Sequence, residues 1–81
     1  MIEKEVTITL EHGIHARPAA ELVKSLTRFK SDVVLYDRGK EYNAKSILSM
    51  MSAAIKKGQT IRVVIDGVDE EETWNFLKDY V

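Results

Sequence analysis

One short stretch of the chain combines side chains that suit the chemistry of phosphoryl groups. His15 is preceded by Gly13 and followed by Arg17 and Pro18. A neutral imidazole is nucleophilic near neutral pH without a base to activate it. A guanidinium can hold phosphoryl oxygens through a planar fork of donors. These residue types indicate a site at which His15 accepts a dianionic group and Arg17 stabilises it.

The same stretch marks the beginning of a helix. Apolar positions recur at helical spacing over residues 16–29, and Pro18 falls in the first turn, where a missing amide hydrogen is tolerated. The first backbone amides of a helix have no partner within it, so the helix N-terminus at Ala16, Arg17 and Pro18 would face a bound anion. The positive end of the helix also favours the neutral form of the His15 ring.

Two other interpretations of the histidines are open. A single histidine before a helix is usually a polar cap or a loop residue. His12 and His15 have a spacing that is also found in metal sites, but the chain has no cysteine and only Glu11 stands nearby as a carboxylate. Such a set of ligands makes a poor metal site, so no metal is predicted.

The composition excludes several classes of protein. The 81 residues include 12 basic and 13 acidic side chains, a net charge of −1, which argues against nonspecific binding of nucleic acid. The lack of cysteine excludes disulfides and thiolate metal sites. Apolar runs are far shorter than the roughly 18 residues that span a membrane, and residues 1–5 lack a signal-peptide core. We expect a cytoplasmic monomer that neither enters a membrane nor binds nucleic acid directly.

The length predicts one domain over residues 1–81, because so short a chain cannot form two cores. It also leaves no mass for a catalytic cleft built from several loops. Any chemistry should lie at the surface, at the end of a helix or strand. A carrier or a binding module is therefore predicted rather than a self-sufficient enzyme.

The hydrophobic pattern predicts an α+β fold. Predicted strands cover residues 2–10, 32–36, 41–43 and 60–66, and predicted helices cover residues 16–29, 46–55 and the segment after residue 69. The order β-α-β-β-α-β-α with short β-β connections indicates an antiparallel sheet with helices on one face. At the last helix, Asp69 and Glu72 form the pattern of a capping box.

These features resemble the histidine-containing phosphocarrier (HPr) family of the bacterial sugar phosphotransferase system. The resemblance covers essentially the whole chain and rests on residues 13–20 (GIHARPAA), 5–9 (EVTIT), 45–47 (KSI), 57–58 (KG) and 67–70 (GVDE). It implies an open-faced β-sandwich of four antiparallel strands covered on one face by three helices. It also implies that His15 is phosphorylated on Nδ1, with Arg17 beside the phosphate. The donor would be the phosphoenolpyruvate-dependent enzyme I, the acceptors would be the A domains of enzyme II proteins, and no cofactor is implied.

Ser46 is open to two interpretations. A serine at a helix start is commonly a cap. In the branch of the family that is regulated by HPr kinase/phosphorylase, the matching serine is phosphorylated and is followed by the residue types found here at Ile47 and Met51. The resemblance then implies a phosphorylated form that receives less phosphoryl from enzyme I and binds a catabolite-control repressor of the LacI type.

The surface for these partners is predicted around the two helix starts. Apolar residues of the second helix and residues on the Arg17 face of the first helix should be exposed, with lysines as a basic rim; the predicted set is Ala20, Lys24, Thr27, Lys45, Ile47, Leu48 and Met51. Met50 and Ala54 are expected to face inward. Ala54 stands where the family often has glycine, and we expect the helix to continue smoothly through it.

Two further functions stay open at this point. One is a regulatory relative of HPr, acting in a nitrogen-linked branch or signalling mainly through Ser46. The other is an interaction domain without phosphoryl chemistry, against which the presence of His15 argues.

Overall fold

An antiparallel sheet forms one layer of the protein, and three helices cover one face of it. The computed structural model describes residues 1–11, 13–14 and 16–81. In chain order the elements are β1 (Ile2–Thr7), α1 (Ala16–Leu26), β2 (Asp32–Asp37), β3 (Lys40–Asn43), α2 (Ile47–Ala53), β4 (Thr60–Asp66) and α3 (Glu70–Tyr80). The strand order is β1-β4-β2-β3, and each neighbouring pair is antiparallel. The predicted α+β fold is therefore confirmed.

The core lies between the sheet and the helices. Alternate residues of β2 and β4 point towards it, and each helix contributes one buried stripe; the buried side chains include Val33, Leu35, Ile61, Val63, Ile65, Leu22, Leu26, Met50 and Leu77. This is the pattern expected when one face of a sheet is packed and the other faces water. The side chains that could do chemistry are thus left to the helix ends and the loops.

The first helix is shorter than the sequence predicts. It ends at Leu26 rather than near Phe29. Beyond it the backbone tightens, with the amide of Phe29 donating to the carbonyl oxygen of Leu26 at 3.1 Å. Phe29 still packs against the core, so the apolar periodicity continues past the point at which the helical backbone stops.

The predicted capping box at α3 is wrong. The Asp69 carboxylate caps no amide of α3. It accepts hydrogen bonds from the amides of Lys30 and Ser31, at 2.8 and 2.9 Å, and from the Ser31 hydroxyl. The Ser31 hydroxyl, followed by the Lys30 amide, lowers the pKa of Asp69 from 3.8 to about 2. Asp69 therefore joins the loop before β2 to the start of α3.

The expectation that helix α2 continues smoothly through Ala54 is also wrong. Ala54 ends the helix in the left-handed conformation, with φ 49° and ψ 45°. The expectation that Ala54 faces inward is wrong as well, because its side chain is exposed and the neighbouring Ala53 and Ile55 face the core instead. The reversal of the backbone at Ala54 is what turns Ile55 inward, and it strains a residue that has a Cβ.

The last turn of α3 is held by the segment after β1. The backbone amide and the hydroxyl of Thr9 both donate to the carbonyl oxygen of Val81, and the side chain of Val81 is buried. In the part of the chain that the structure describes, no helix has the length and hydropathy that crossing a membrane requires.

Candidate functional site

The candidate site is the N-terminus of α1. The helix begins at Ala16, so Arg17 and Pro18 lie in its first turn, as predicted. Pro18 suits this position because its missing amide hydrogen would have had no helical partner. The Arg17 side chain is 89% exposed, with its Nε atom 3.9 Å from Oε1 of Glu21. His12 and His15 lie outside the described residues, so their predicted roles remain predictions.

The segment just before the helix is fixed to the far end of α2. Gly13 adopts a positive φ of 71°, and its amide donates to the carbonyl oxygen of Leu10 at 2.9 Å. A Cβ on Gly13 would lie 2.7 Å from the Cα atom of Lys56 and closer still to the carbonyl oxygen of Ile55. The next residue, Ile14, is buried, and its amide donates to that same carbonyl oxygen at 2.8 Å. Glycine is required here for both its backbone conformation and its lack of a side chain.

One side of α1 carries the predicted partner residues. Ala20, Lys24 and Thr27 are exposed, as is Arg17. Thr27 lies just beyond the helix end, where its hydroxyl donates to the carbonyl oxygen of Lys24 at 2.6 Å. Helices α1 and α2 pack against each other, so the two helices that carry the predicted partner residues are neighbours.

Helix α2 presents a patch of apolar side chains to solvent. Ile47, Leu48 and Met51 are 44, 79 and 47% exposed, whereas Met50 on the opposite side is completely buried. A seven-residue helix with one buried side leaves these three side chains uncovered. Exposed aliphatic and methionine side chains grouped in this way are typical of a docking surface.

The two lysines of the predicted basic rim differ in their surroundings. Lys24 is exposed on α1. Lys45 is only partly exposed, and its Nζ atom donates to the carbonyl oxygen of Phe29 at 2.7 Å. Its ammonium group is thus engaged in joining the start of α2 to the loop after α1, and Lys24 is the more accessible of the two.

Ser46 caps α2. It has extended dihedral angles, φ −118° and ψ 120°, and its hydroxyl oxygen accepts a hydrogen bond from the amide of Ser49 at 3.3 Å. The Ser49 hydroxyl in turn accepts from the amide of Asn43 at 2.9 Å. The capping interpretation of Ser46 is therefore supported by geometry, while its regulatory role remains a prediction.

Sequence reasoning missed two side chains at the candidate site, Glu21 and Tyr80. The Tyr80 hydroxyl donates to the carbonyl oxygen of Pro18 at 3.2 Å and lies 3.4 Å from Oε2 of Glu21. Burial and the Glu21 carboxylate raise the pKa of Tyr80. The spacing of Arg17 and Glu21 on one helix was available as a signal. The approach of Tyr80 was not, because it joins residues 62 positions apart.

Comparisons with known proteins point to one family. Residues 2–81 match the family model described as the PTS HPr component phosphorylation site. The phosphocarrier protein HPr of Xylella fastidiosa is 43% identical over 79 residues, which cover 98% of this chain and 89% of that protein. A crystal structure of HPr from Bacillus anthracis superposes with a TM-score of 0.94, at 41% identity, and the match covers 99% of this chain and 95% of that one.

A second kind of relative is also similar in structure. The crystal structure of Crh, a catabolite-repression protein of Bacillus subtilis, superposes with a TM-score of 0.78 at 41% identity. The match covers 99% of this chain and 92% of that chain, which is a domain-swapped dimer.

Proposed function

Since this chain belongs to the HPr family of phosphocarriers of the phosphotransferase system, we propose that His15 accepts a phosphoryl group from enzyme I. The donor acts with phosphoenolpyruvate, and the chain then passes the group to the A domains of enzyme II proteins for sugar uptake. The family match over residues 2–81 carries this proposal. As the sequence predicts, the proposed carrier is a cytoplasmic monomer that needs no cofactor.

The transfer is a displacement at phosphorus. The lone pair of the His15 Nδ1 atom attacks the phosphoryl group, a P–N bond forms, and the bond between phosphorus and the donor atom of enzyme I breaks. The reverse displacement, by a nucleophile of the enzyme II A domain, breaks the P–N bond and restores the neutral ring. The carrier is the substrate of both steps and is not an enzyme in its own right.

The described part of the site supports this role in two ways. Arg17 is exposed in the first turn of α1, so its guanidinium is accessible to a phosphoryl group carried by a residue just before the helix. The contact of Gly13 and Ile14 with Ile55 fixes the backbone that leads to His15. A fixed backbone on the N-terminal side of the acceptor reduces the entropy lost when the carrier meets each partner.

The exposed apolar patch of α2, formed by Ile47, Leu48 and Met51, supports docking of those partners on the helix that packs against α1. Lys24 adds a positive charge on the adjoining helix. Because exposed charges act mainly on association rates, a partner with an acidic rim would meet this surface faster than a neutral one.

We further propose that Ser46 is the regulatory site, phosphorylated by HPr kinase/phosphorylase. Its position next to the apolar patch supports this role, because a phosphate there adds nearly two negative charges beside Ile47. A partner that brings acidic groups to the patch would be repelled, as enzyme I would be. A partner with basic groups, such as a LacI-type catabolite-control repressor, would be recruited.

A second candidate function is a regulatory relative of HPr that signals mainly through Ser46. The similarity to Crh favours it. His15 favours the carrier, because a protein that acts through Ser46 alone does not need that residue.

Intact-mass spectrometry tests the carrier proposal. Enzyme I with phosphoenolpyruvate should add one acid-labile phosphoryl group to the parent chain and to a His12→Gln variant, and none to His15→Gln. An enzyme II A domain should then remove that group. An unmodified parent chain, or a phosphoryl group retained in His15→Gln, would overturn the proposal.

The regulatory proposal is tested with HPr kinase/phosphorylase and ATP. The parent and a Ser52→Ala variant should gain an acid-stable phosphate, and Ser46→Ala should not. Ser52 is a matched control because it is an exposed serine of the same helix. Equal phosphorylation of Ser46→Ala would show that another residue is modified.

A further inference from the structure

A side chain near the end of α3 contacts the N-terminal half of α1. The Glu21 carboxylate lies between two groups there: its Oε1 atom is 3.9 Å from Nε of Arg17, and its Oε2 atom is 3.4 Å from the hydroxyl of Tyr80. The same hydroxyl donates to the carbonyl oxygen of Pro18 at 3.2 Å. The turn that carries Arg17 is therefore in contact with the last turn of α3.

Packing between aromatic rings holds Tyr80 in this position. Its ring centroid is 5.8 Å from that of Phe76, which is in turn 5.8 Å from that of Phe29. The three rings form a continuous contact from the loop after α1 along α3, at centroid separations that are typical of aromatic pairs. Contact with the Phe76 ring therefore helps to hold the Tyr80 side chain against α1.

The arrangement has an electrostatic consequence for Arg17. A guanidinium beside a carboxylate is partly neutralised, and it attracts a second anion less strongly than a free one does. A phosphoryl dianion on the residue before the helix would have to share Arg17 with Glu21.

We propose that Glu21 is a positioning residue for Arg17. In the unphosphorylated carrier Glu21 pairs with Arg17, and in the phosphorylated carrier it draws the Arg17 side chain away from the phosphoryl group. This inference rests on the proposed function. Its effect is to lower the stability of the phosphorylated carrier and so to favour release of the group to the next protein. Glu21 acts on the phosphoryl group through Arg17 and touches neither the reacting nitrogen nor the phosphorus.

A competition experiment measures this effect directly. Isotope-labelled parent chain and an unlabelled Glu21→Gln variant are mixed in equal amounts with catalytic enzyme I and less phosphoenolpyruvate than total carrier. At equilibrium, mass spectrometry reads how the phosphoryl groups divide between the two chains. Because exposed ion pairs are weak, we expect about a two- to fivefold preference for the Glu21→Gln variant, decreasing as salt is added.

Two further mixtures distinguish an effect of Glu21 through Arg17 from a general effect of removing a negative charge. Glu72→Gln makes the same change of charge on an exposed residue at the start of α3, and against the parent it should give an even division. Arg17→Gln against the Arg17→Gln, Glu21→Gln double variant should also divide evenly, because Glu21 then has no guanidinium to act through. A preference that persists without Arg17 would show a direct charge effect and overturn the inference.

The outcomes distinguish the inference from the function on which it rests. If the parent chain accepts no phosphoryl group, the proposed function fails. If parent and Glu21→Gln both accept it and divide it evenly, the carrier function stands and the role of Glu21 is refuted.

Discussion

The backbone amide of Ile14 donates a hydrogen bond of 2.8 Å to the carbonyl oxygen of Ile55. This contact joins the segment before α1 to the residue that follows the end of α2. Ile55 is presented there because Ala54 reverses the backbone. The backbone conformation at the end of α2 and the position of the segment before α1 therefore depend on each other.

Gly13→Ala should destabilise the fold. The new Cβ would overlap the backbone of Ile55 and Lys56, at a residue whose φ is positive. Strain and overpacking together should lower the free energy of unfolding by about 2 to 4 kcal/mol, as measured by urea denaturation.

Gly39→Ala is the matched control. Gly39 has a similar φ of 79°, but a Cβ there would meet no described atom within 4 Å. Only the conformational strain applies, so the loss should be about 1 kcal/mol. Equal losses in the two variants would mean that contact with Ile55 contributes nothing to the effect at Gly13.

Ala54→Gly should stabilise the protein. Ala54 is exposed and has φ 49° and ψ 45°, a conformation that glycine adopts without steric strain. After allowance for the greater freedom of glycine in the unfolded chain, we expect a gain of about 0.5 to 1 kcal/mol in the free energy of unfolding.

The same substitution at Ala20 should have the opposite sign. Ala20 is an exposed residue inside α1, where glycine typically reduces stability by about 1 kcal/mol. Urea denaturation of both variants is the test. A destabilised Ala54→Gly variant would contradict the left-handed conformation at the end of α2.

Acid should weaken the link made by Asp69. The pKa of its carboxyl group is lowered from 3.8 to about 2 in the folded protein by the Ser31 hydroxyl and the Lys30 amide. The stabilisation is therefore fully present above the unfolded pKa and is lost as the pH falls through the folded one. Carboxyl carbon shifts of Asp69, followed by NMR down to about pH 2, should show this titration.

The Asp69→Asn variant should be less stable than the parent at neutral pH and should lose this part of the acid dependence. Asp79→Asn removes the same charge from an exposed residue of α3 and should behave like the parent in both respects. If Asp69→Asn showed the parent's full acid dependence, the stabilisation would have to come from another carboxyl group.

Substitutions at Leu48 and Met50 should distinguish an effect on partner docking from an effect on stability. Leu48 is 79% exposed and Met50 completely buried. Leu48→Ala should change the free energy of unfolding by no more than about 0.5 kcal/mol, whereas Met50→Ala should lower it by about 2 to 5 kcal/mol. In phosphoryl transfer, Leu48→Ala should raise the KM for the carrier about fivefold, as expected for the loss of an apolar anchor.

Val68→Ala is the control for that transfer measurement. Val68 is even more exposed, at 88%, but lies in the turn before α3. Its replacement should leave the KM unchanged. A similar increase in both variants would show that the patch of Ile47, Leu48 and Met51 is not the docking surface.

Sequence patterns predicted the elements of this fold because those patterns act between near neighbours. The alternation of Val33 and Leu35 in β2 and the position of Pro18 in the first turn of α1 both depend on local geometry alone. The start of α1, and with it the exposed position of Arg17, followed directly from such signals.

Features that depend on partners distant in the chain were not predicted. Asp69 has the local pattern of a cap, but its hydrogen-bonding partners are 38 and 39 residues away. Ala54 has a good helical propensity, and only the burial of Ile55 and its bond to Ile14 explain why the helix ends there. The contact between Glu21 and Tyr80 was not predicted for the same reason, since it forms only when α1 and α3 are packed together.

The order of the strands has a consequence for synthesis on the ribosome. β1 is translated first, yet it pairs only with β4, which is translated late. The hairpin of β2 and β3 is the sole local pairing in the four-stranded sheet that the structure describes. A nascent chain must therefore keep the edge of β1 unpaired until Asp66 has left the exit tunnel, which delays cooperative folding until β4 is free to pair.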